Sequence, residues 1–258
     1  MIRMALHLFG YDLRAFARNR QWQFFTLAMP VLFLVIFASV FGGGGNTTHV
    51  AGGRISTSVY YVPGIIALGV IAACFGNLVA SVTTQRERGV LKRRRATPVP
   101  AAAVIAGRVL TSVVVAVVMA AVLLGIGWAA YGAHVPGQTA LALAVTVVIG
   151  AASFCCLGYA LTSLIRNEDA ALPTTTAITL PLYFISGVFV AVTVLPHWLA
   201  DVGEIFPVRH LADALLVAYN PHTTGFGFAG LDLLIVAAWG AAGLLIAIRK
   251  FSWLPLGR

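Results

Sequence analysis

Between Arg108 and Arg166 the chain carries no Asp, Glu, Lys or Arg. A helix of about 20 apolar residues spans a bilayer, so this run is too long for one crossing and long enough for two. His134, Pro136 and Gly137 lie near its middle and supply the break. Composition extends the reading to the whole chain. Of 258 residues, 60% are hydrophobic and 10% charged, with a mean hydropathy of +0.93. A soluble domain of this size carries roughly 25% charged residues, so most of this surface faces something other than water.

Six apolar stretches, free of charge except for Asp232 at the start of the last, mark spans at about 22–41, 59–82, 109–131, 140–165, 171–195 and 231–248. The first ends in Gly42-Gly43-Gly44-Gly45, with no small-residue cleavage pattern, so it reads as a span and not as a secretory signal. Of the 17 Lys and Arg residues, all but Arg54 and Arg209 fall on one side of this six-span arrangement. The asymmetry orients both termini to the cytoplasm. It also accounts for the net charge of +9 without nucleic acid as a partner. Before the first span, Leu6, Phe9, Leu13 and Phe16 recur at helical spacing beside Arg14 and Arg18. They form an amphipathic surface helix over residues 1–21, either a membrane anchor or also a partner contact. Residues 196–230 are too polar to span. Trp198, Leu199, Val202, Ile205 and Phe206 make them an outer interfacial or re-entrant segment. The expected fold is thus an all-α membrane protein, with residues 1–258 as one six-span transmembrane domain.

Absent chemistry narrows the function. There is no Walker-type G-x-x-x-x-G-K-[ST], and the only lysines are Lys92 and Lys250. No span carries a mid-membrane carboxylate, since Asp232 stands at the start of the sixth, which weighs against an ion-coupled transporter. No H-E-x-x-H or G-x-S-x-G indicates a membrane enzyme. Cys74, Cys155 and Cys156 lie in apolar stretches without metal spacing and read as packing residues. Asn46-Thr47-Thr48 matches a glycosylation acceptor, but nothing else indicates that context.

The most distinctive stretch is Gln85 to Pro100, QRERGVLKRRRATPVP, within a cytoplasmic loop of residues 83–108. It begins as a charged extension of the second span. Gly89 permits a bend, Val90 and Leu91 can dip into the interface, and Pro98 and Pro100 end helix before the third span. On composition alone it is a solvated loop that pins two helix ends. Its order, however, resembles the E-R-E-x-G-T-L-x-x-L-x-x-T-P signature of ABC-2 type transporter permeases. Arg86, Glu87, Arg88, Gly89, Leu91, Thr97 and Pro98 stand at matching positions. Gln85, Val90 and Arg94 depart from the pattern. Pro181 to Phe189, Leu195-Pro196, Trp198-Leu199 and Phe206-Pro207 are similar to the family's fifth span and outer segment. The nearest likeness is to the drug-export, daunorubicin-type branch.

The resemblance implies a non-catalytic permease subunit in a bacterial plasma membrane. It would work as a homo- or heterodimer with two copies of a separate P-loop ATPase, so that ATP and Mg²⁺ bind on the partner and no cofactor binds here. The loop after span two would then be the coupling element. Glu87 and Arg88 would contact the ATPase, Gly89 would form the bend, and Thr97-Pro98 the helix stop. Arg166, Asn167, Glu168 and Asp169 form a secondary cytoplasmic contact, and Arg93 to Arg95 suit anionic lipid headgroups.

In span two, Gly69, Ala73, Gly76 and Ala80 repeat on one small-residue face suited to close packing, with Asn77 the only amide. In span five, Thr175, Thr179 and Ser186 form a hydroxyl stripe near Pro173 and Pro181. That stripe either packs or walls a mildly polar cavity. By resemblance, spans one, two and five line the transport route, which would carry an amphiphilic, drug-like or lipid-like substrate. Two other functions remain open: an ion-coupled or facilitative transporter, and a non-transporting scaffold or immunity protein.

Overall fold

The structure is a computed structural model that describes residues 2–42, 45–95, 101–134 and 136–251. An amphipathic helix α1 (Ile2–Arg18) breaks at Asn19 and continues as α2 (Arg20–Gly42). A short hairpin, β1 (Thr47–Val50) and β2 (Gly53–Ser56), pairs antiparallel from Thr47↔Ser56 to Val50↔Gly53. Then α3 (Thr57–Ile71), a π-helical turn (Ala72–Gly76) and α4 (Asn77–Glu87) run on as one 31-residue helix. After it come α5 (Val90–Arg95), α6 (Ala101–Tyr131), α7 (Ala140–Thr162) and α8 (Ala171–Ile185). A 3₁₀ turn (Val192–Val194), α9 (His197–Glu204), α10 (Pro207–Tyr219) and α11 (Gly230–Lys250) complete the described elements.

Among the described residues, four helices are long and apolar enough to cross a membrane: Thr57–Glu87, Ala103–Tyr131, Ala140–Thr162 and Gly230–Lys250. Thr26–Gly42 and Ala171–Ile185 are apolar but shorter. The centre of the bundle is α3, whose residues Tyr60 to Ile71 are all buried. Around it stand α2, α6, α7 and α10. By contrast, α11 exposes Leu231, Leu234, Leu244, Leu245 and Ile248, as expected of a helix with an apolar surround on its outer side. Helices α7 and α11 pack closely along their length. A Cβ at Gly243 would stand 2.9 Å from the Leu157 amide nitrogen, so the two backbones touch only because that side chain is absent.

Several element ends differ from the sequence expectation. The loop 83–108 is largely helical, because α4 continues to Glu87 and α6 already begins at Ala101. Arg108 was taken as the edge of a span, but it sits inside α6. There its guanidinium pairs with Asp12 at 3.9 Å and donates to Ser81 Oγ, so the charge is met without ending the helix. The fifth stretch is helical only to Ile185 and ends at Ser186 and Gly187, where φ is +80°. At 1.5 Å per residue, α8 is roughly 22 Å long, short of a full crossing. Residues 196–230 hold two helices and not one segment. Pro207 starts α10, which buries Leu211, Leu215 and Tyr219 in the core, while Trp198 on α9 and Ile205 just after it stay exposed.

The small-residue face of span two is also divided. A π turn accommodates one extra residue, which rotates later positions by about 100° relative to a uniform α-helix. Gly69 accordingly faces Met119 of α6, whereas nothing lies within 4 Å of a Cβ at Gly76. On α1, Asp12 is buried and Phe16 is half-buried against the core, while Leu6 stays exposed. The helix is therefore docked on the start of α6 along one face.

Two ends of the bundle result. At one, the hairpin meets the residues after α10 through Asn220 Nδ2 to the Ala51 carbonyl (2.8 Å). There His134 also lies against Tyr219, with ring centroids 4.8 Å apart. At the other gather α1, the α4–α5 corner, the start of α6, the α7–α8 connection and Phe251.

Candidate functional site

The α4–α5 corner is built by ordinary helix-ending chemistry. Arg88 closes α4, and Gly89 follows at φ +70°, a left-handed conformation in which a side chain would be strained. The Gly89 amide donates to the Arg86 carbonyl (3.1 Å), and the Arg93 amide donates to the Gly89 carbonyl (3.2 Å). The chain therefore turns sharply and restarts as α5. Leu91, only 5% exposed, plugs α5 into the main core. Lys92 and Arg93 remain exposed. Thr97 and Pro98 lie outside the described residues.

The charged residues of this corner divide into two kinds. Arg86 is fully buried. Its Nη1 donates to the Thr162 carbonyl (2.7 Å), its Nη2 to the Ile165 carbonyl (2.5 Å), and its Nε to Glu87 Oε1 (3.0 Å). It is thus turned into the protein and is not a surface contact. Arg88, by contrast, is 68% exposed and reaches Glu168 Oε2 at 3.3 Å. That pair joins the corner to the α7–α8 connection, where Arg166 and Asp169 are exposed and Asn167 Oδ1 accepts from the Ala170 amide (2.9 Å). Charge alone could not separate Arg86 from Arg88 in the sequence. Only the position of the α7 terminus does.

A second feature is a cavity of 260 Å³ between α2, the α3–π–α4 helix and α8. Asn77, Thr175 and Thr179 all line it. Asn77 Nδ2 donates to Thr26 Oγ1 across to α2 (3.0 Å). The hydroxyls of Thr175 and Thr179 bond back to carbonyls of their own helix, at Ala171 and Thr175, and so present methyl groups and satisfied oxygens. Ser186 is fully buried beyond the cavity and outside its wall. Phe33, Tyr183 and Phe189 add rings to the lining, and Phe189 stacks on Phe37 with centroids 5.1 Å apart. Tyr183 and Phe189 fall in the Pro181–Phe189 stretch that resembles the family, but neither they nor Phe33 nor Thr26 stood out as cavity residues in the sequence, although Thr26 is one of the few polar side chains in an apolar helix. Ala72, Gly76 and Asn77 also line the cavity, so the π turn lies in its wall. Among the described residues, no Asp, Glu, His, Lys or Arg lines it.

At the opposite end from the corner, Arg209 Nε pairs with Asp213 Oδ2 (2.5 Å). His210 sits between Asp232 Oδ1 (2.7 Å) and the Glu204 carbonyl (2.8 Å), tying α10 to α9 and α11. Burial pushes the Asp213 carboxyl above its ordinary value, and Arg209 opposes the shift. Among the described residues, no three His, Cys, Asp or Glu side chains gather into a metal-binding group.

Residues 6–220 match the family described as ABC-2 type transporter. The probable multidrug ABC transporter permease YbhR of Escherichia coli K12 is 28% identical over 180 residues, covering 70% of this chain and 47% of that protein. The daunorubicin resistance ABC transporter permease protein DrrB1 of Streptomyces coeruleorubidus is 28% identical over 232 residues, covering 86% of this chain and 77% of that protein. The chain therefore spans about half the length of the first of these relatives.

Proposed function

Because the chain belongs to the ABC-2 type transporter family, we propose that it is the membrane-spanning permease subunit of an ATP-driven exporter. In this reading the ATPase is a separate P-loop protein, present in two copies, which supplies the ATP and Mg²⁺ sites. The permease itself pairs with a second permease subunit, identical or related. Residues 1–258 form one transmembrane unit. The four long helices cross the membrane, and α2 and α8 complete six spans. Helix α1 rests at the cytoplasmic surface, and the hairpin, α9 and α10 form the outer side. Both termini face the cytoplasm of a bacterial cell in this reading, which the one-sided clustering of basic residues supports for the orientation. Bacterial relatives, one named for multidrug transport and one for daunorubicin resistance, agree with that setting.

One observation carries the mechanism. The central helix lines the cavity at its π turn and continues, without interruption, to the Gly89 corner. At 31 residues it is roughly 46 Å long, against a hydrocarbon core of about 30 Å. It therefore extends beyond the bilayer and can carry movement from a docked ATPase to the cavity wall. Closure of the ATPases on α5 would tilt this helix and switch access from inside to outside. The secondary contact would be the connection bearing Arg166, Glu168 and Asp169. A wall of rings, methyl groups and one amide, without a buried charge, suits an amphiphilic, drug-like or lipid-like substrate.

Charge reversal tests the coupling role. With Arg88→Glu and Lys92→Glu, two exposed positions that leave the buried Arg86–Glu87 pair intact, the chain is expected to insert normally while ATP hydrolysis no longer drives export. Undiminished export from that variant would contradict the assignment.

A further inference from the structure

The last carbonyls of a helix need partners from outside its own ladder, and at a buried terminus they must come from nearby side chains. At the end of α7 the partners can be named one by one. Thr162 Oγ1 donates to the Tyr159 carbonyl (2.7 Å), and the Ser163 amide and hydroxyl both donate to Ala160. The Leu164 amide serves Leu161 (2.9 Å). The carbonyls of Thr162 and Ile165 are then taken by Arg86, which comes from a different helix. A guanidinium suits this position twice over. Its fork delivers two parallel N–H groups to two carbonyls, and its positive charge meets the negative end of the helix dipole. Glu87 balances the buried charge at 3.0 Å.

We propose that Arg86 is a positioning residue that fastens the α4–α5 corner to the end of α7, so that residues 88–93 and 166–169 present one rigid docking surface. This rests on the permease reading above. The exposed Arg88–Glu168 pair lies across the same seam, but it is open to water and screened, and it does not hold the seam closed by itself. An ATPase pushing on α5 consequently moves α7 as well as the central helix. Because α7 is packed backbone-to-backbone on α11, the push reaches that helix too.

The experiment compares Arg86→Met and Arg86→Lys with the native residue in two assays. In a background where Cys74, Cys155 and Cys156 are Ala, Arg88→Cys with Glu168→Cys reports the seam by disulfide yield in intact membranes. That assay needs no ATPase. Separately, without the added cysteines, the affinity of the detergent-solubilised chain for its co-purifying ATPase is titrated. Arg86→Met is expected to lower cross-linking roughly tenfold, through lost effective concentration of the two thiols. It should also weaken ATPase affinity by about 5-fold or more. Arg86→Lys keeps the cation but cannot reach both carbonyls, and is expected to fall between the two in both assays. Native-level cross-linking and affinity in Arg86→Met would overturn the proposal. If Arg86→Met fails to reach the membrane, the lysine variant decides, and native values in both assays overturn it. Absence of any ATPase with the unmutated chain would instead overturn the permease reading, while the cross-linking result still decides the role of Arg86.

Discussion

The side chains that matter most here are polar groups in places where water is scarce, and their partners decide what each can do. Asn77 holds Thr26 across the cavity wall, Arg86 holds the end of α7, and Arg108 meets Asp12 and Ser81. Asp213 is the clearest case for a pH test. Burial raises its carboxyl above the ordinary 3.8, so the folded protein binds that proton more tightly than the unfolded chain does. The resulting stabilisation is fully present below the ordinary value and is lost as pH rises through the raised folded value. Thermal melting in detergent should therefore fall with rising pH across the carboxylate range in the native protein. Asp213→Asn should show a flatter profile there, and an identical slope would remove Asp213 as the cause. At this scale the sequence was partly legible. Asn77, Thr175 and Thr179 are conspicuous because amides and hydroxyls are rare in apolar helices, and all three line the cavity. Phe189 was not, since one more ring in an apolar chain carries no sign of where it stacks. The partners of Arg86 were illegible for a comparable reason: they are backbone carbonyls 76 and 79 residues away.

Helices announce themselves through long apolar runs, but their ends obey turn and capping chemistry instead of hydropathy. That is why the expected third span began at about 109 while α6 begins at Ala101, and why the fifth outran α8, which stops at Ile185 before Gly187. The π turn left no sequence signal at all, because one extra residue in a helix changes periodicity only beyond the point of insertion. Packing between elements is tested at α7 and α11. Gly243→Ala puts a methyl 2.9 Å from the Leu157 nitrogen and 3.0 Å from the Cys156 carbonyl carbon, so the backbones must part. A cost of about 1–3 kcal/mol is expected, seen as a lower melting temperature. Gly125→Ala in α6 meets nothing within 4 Å and shares the same gain in helix propensity. It serves as the control and should be neutral or stabilising. Equal melting temperatures for the two variants would contradict the close approach.

At the scale of the whole molecule, the fold sets a cavity and a charged corner on one continuous helix, at different heights. Apolar segmentation made the mostly helical, membrane-type architecture legible from the chain alone, and the order of residues from Arg86 to Leu91 made the family legible. The two-helix outer segment and the hairpin were less so. Their stability comes from contacts such as Asn220 with Ala51, which join residues 169 positions apart. A helix leading from cavity to corner is what the proposed reading requires, in which a separate ATPase acts on the corner. The most direct test is to solubilise the chain in mild detergent from its native membrane, recover it, and assay what accompanies it for ATP hydrolysis. The account predicts a co-purifying P-loop ATPase whose association is lost when the charges of the exposed Arg88 and Lys92 are reversed. Recovery of the chain alone, with no ATPase activity under any mild detergent, would contradict it.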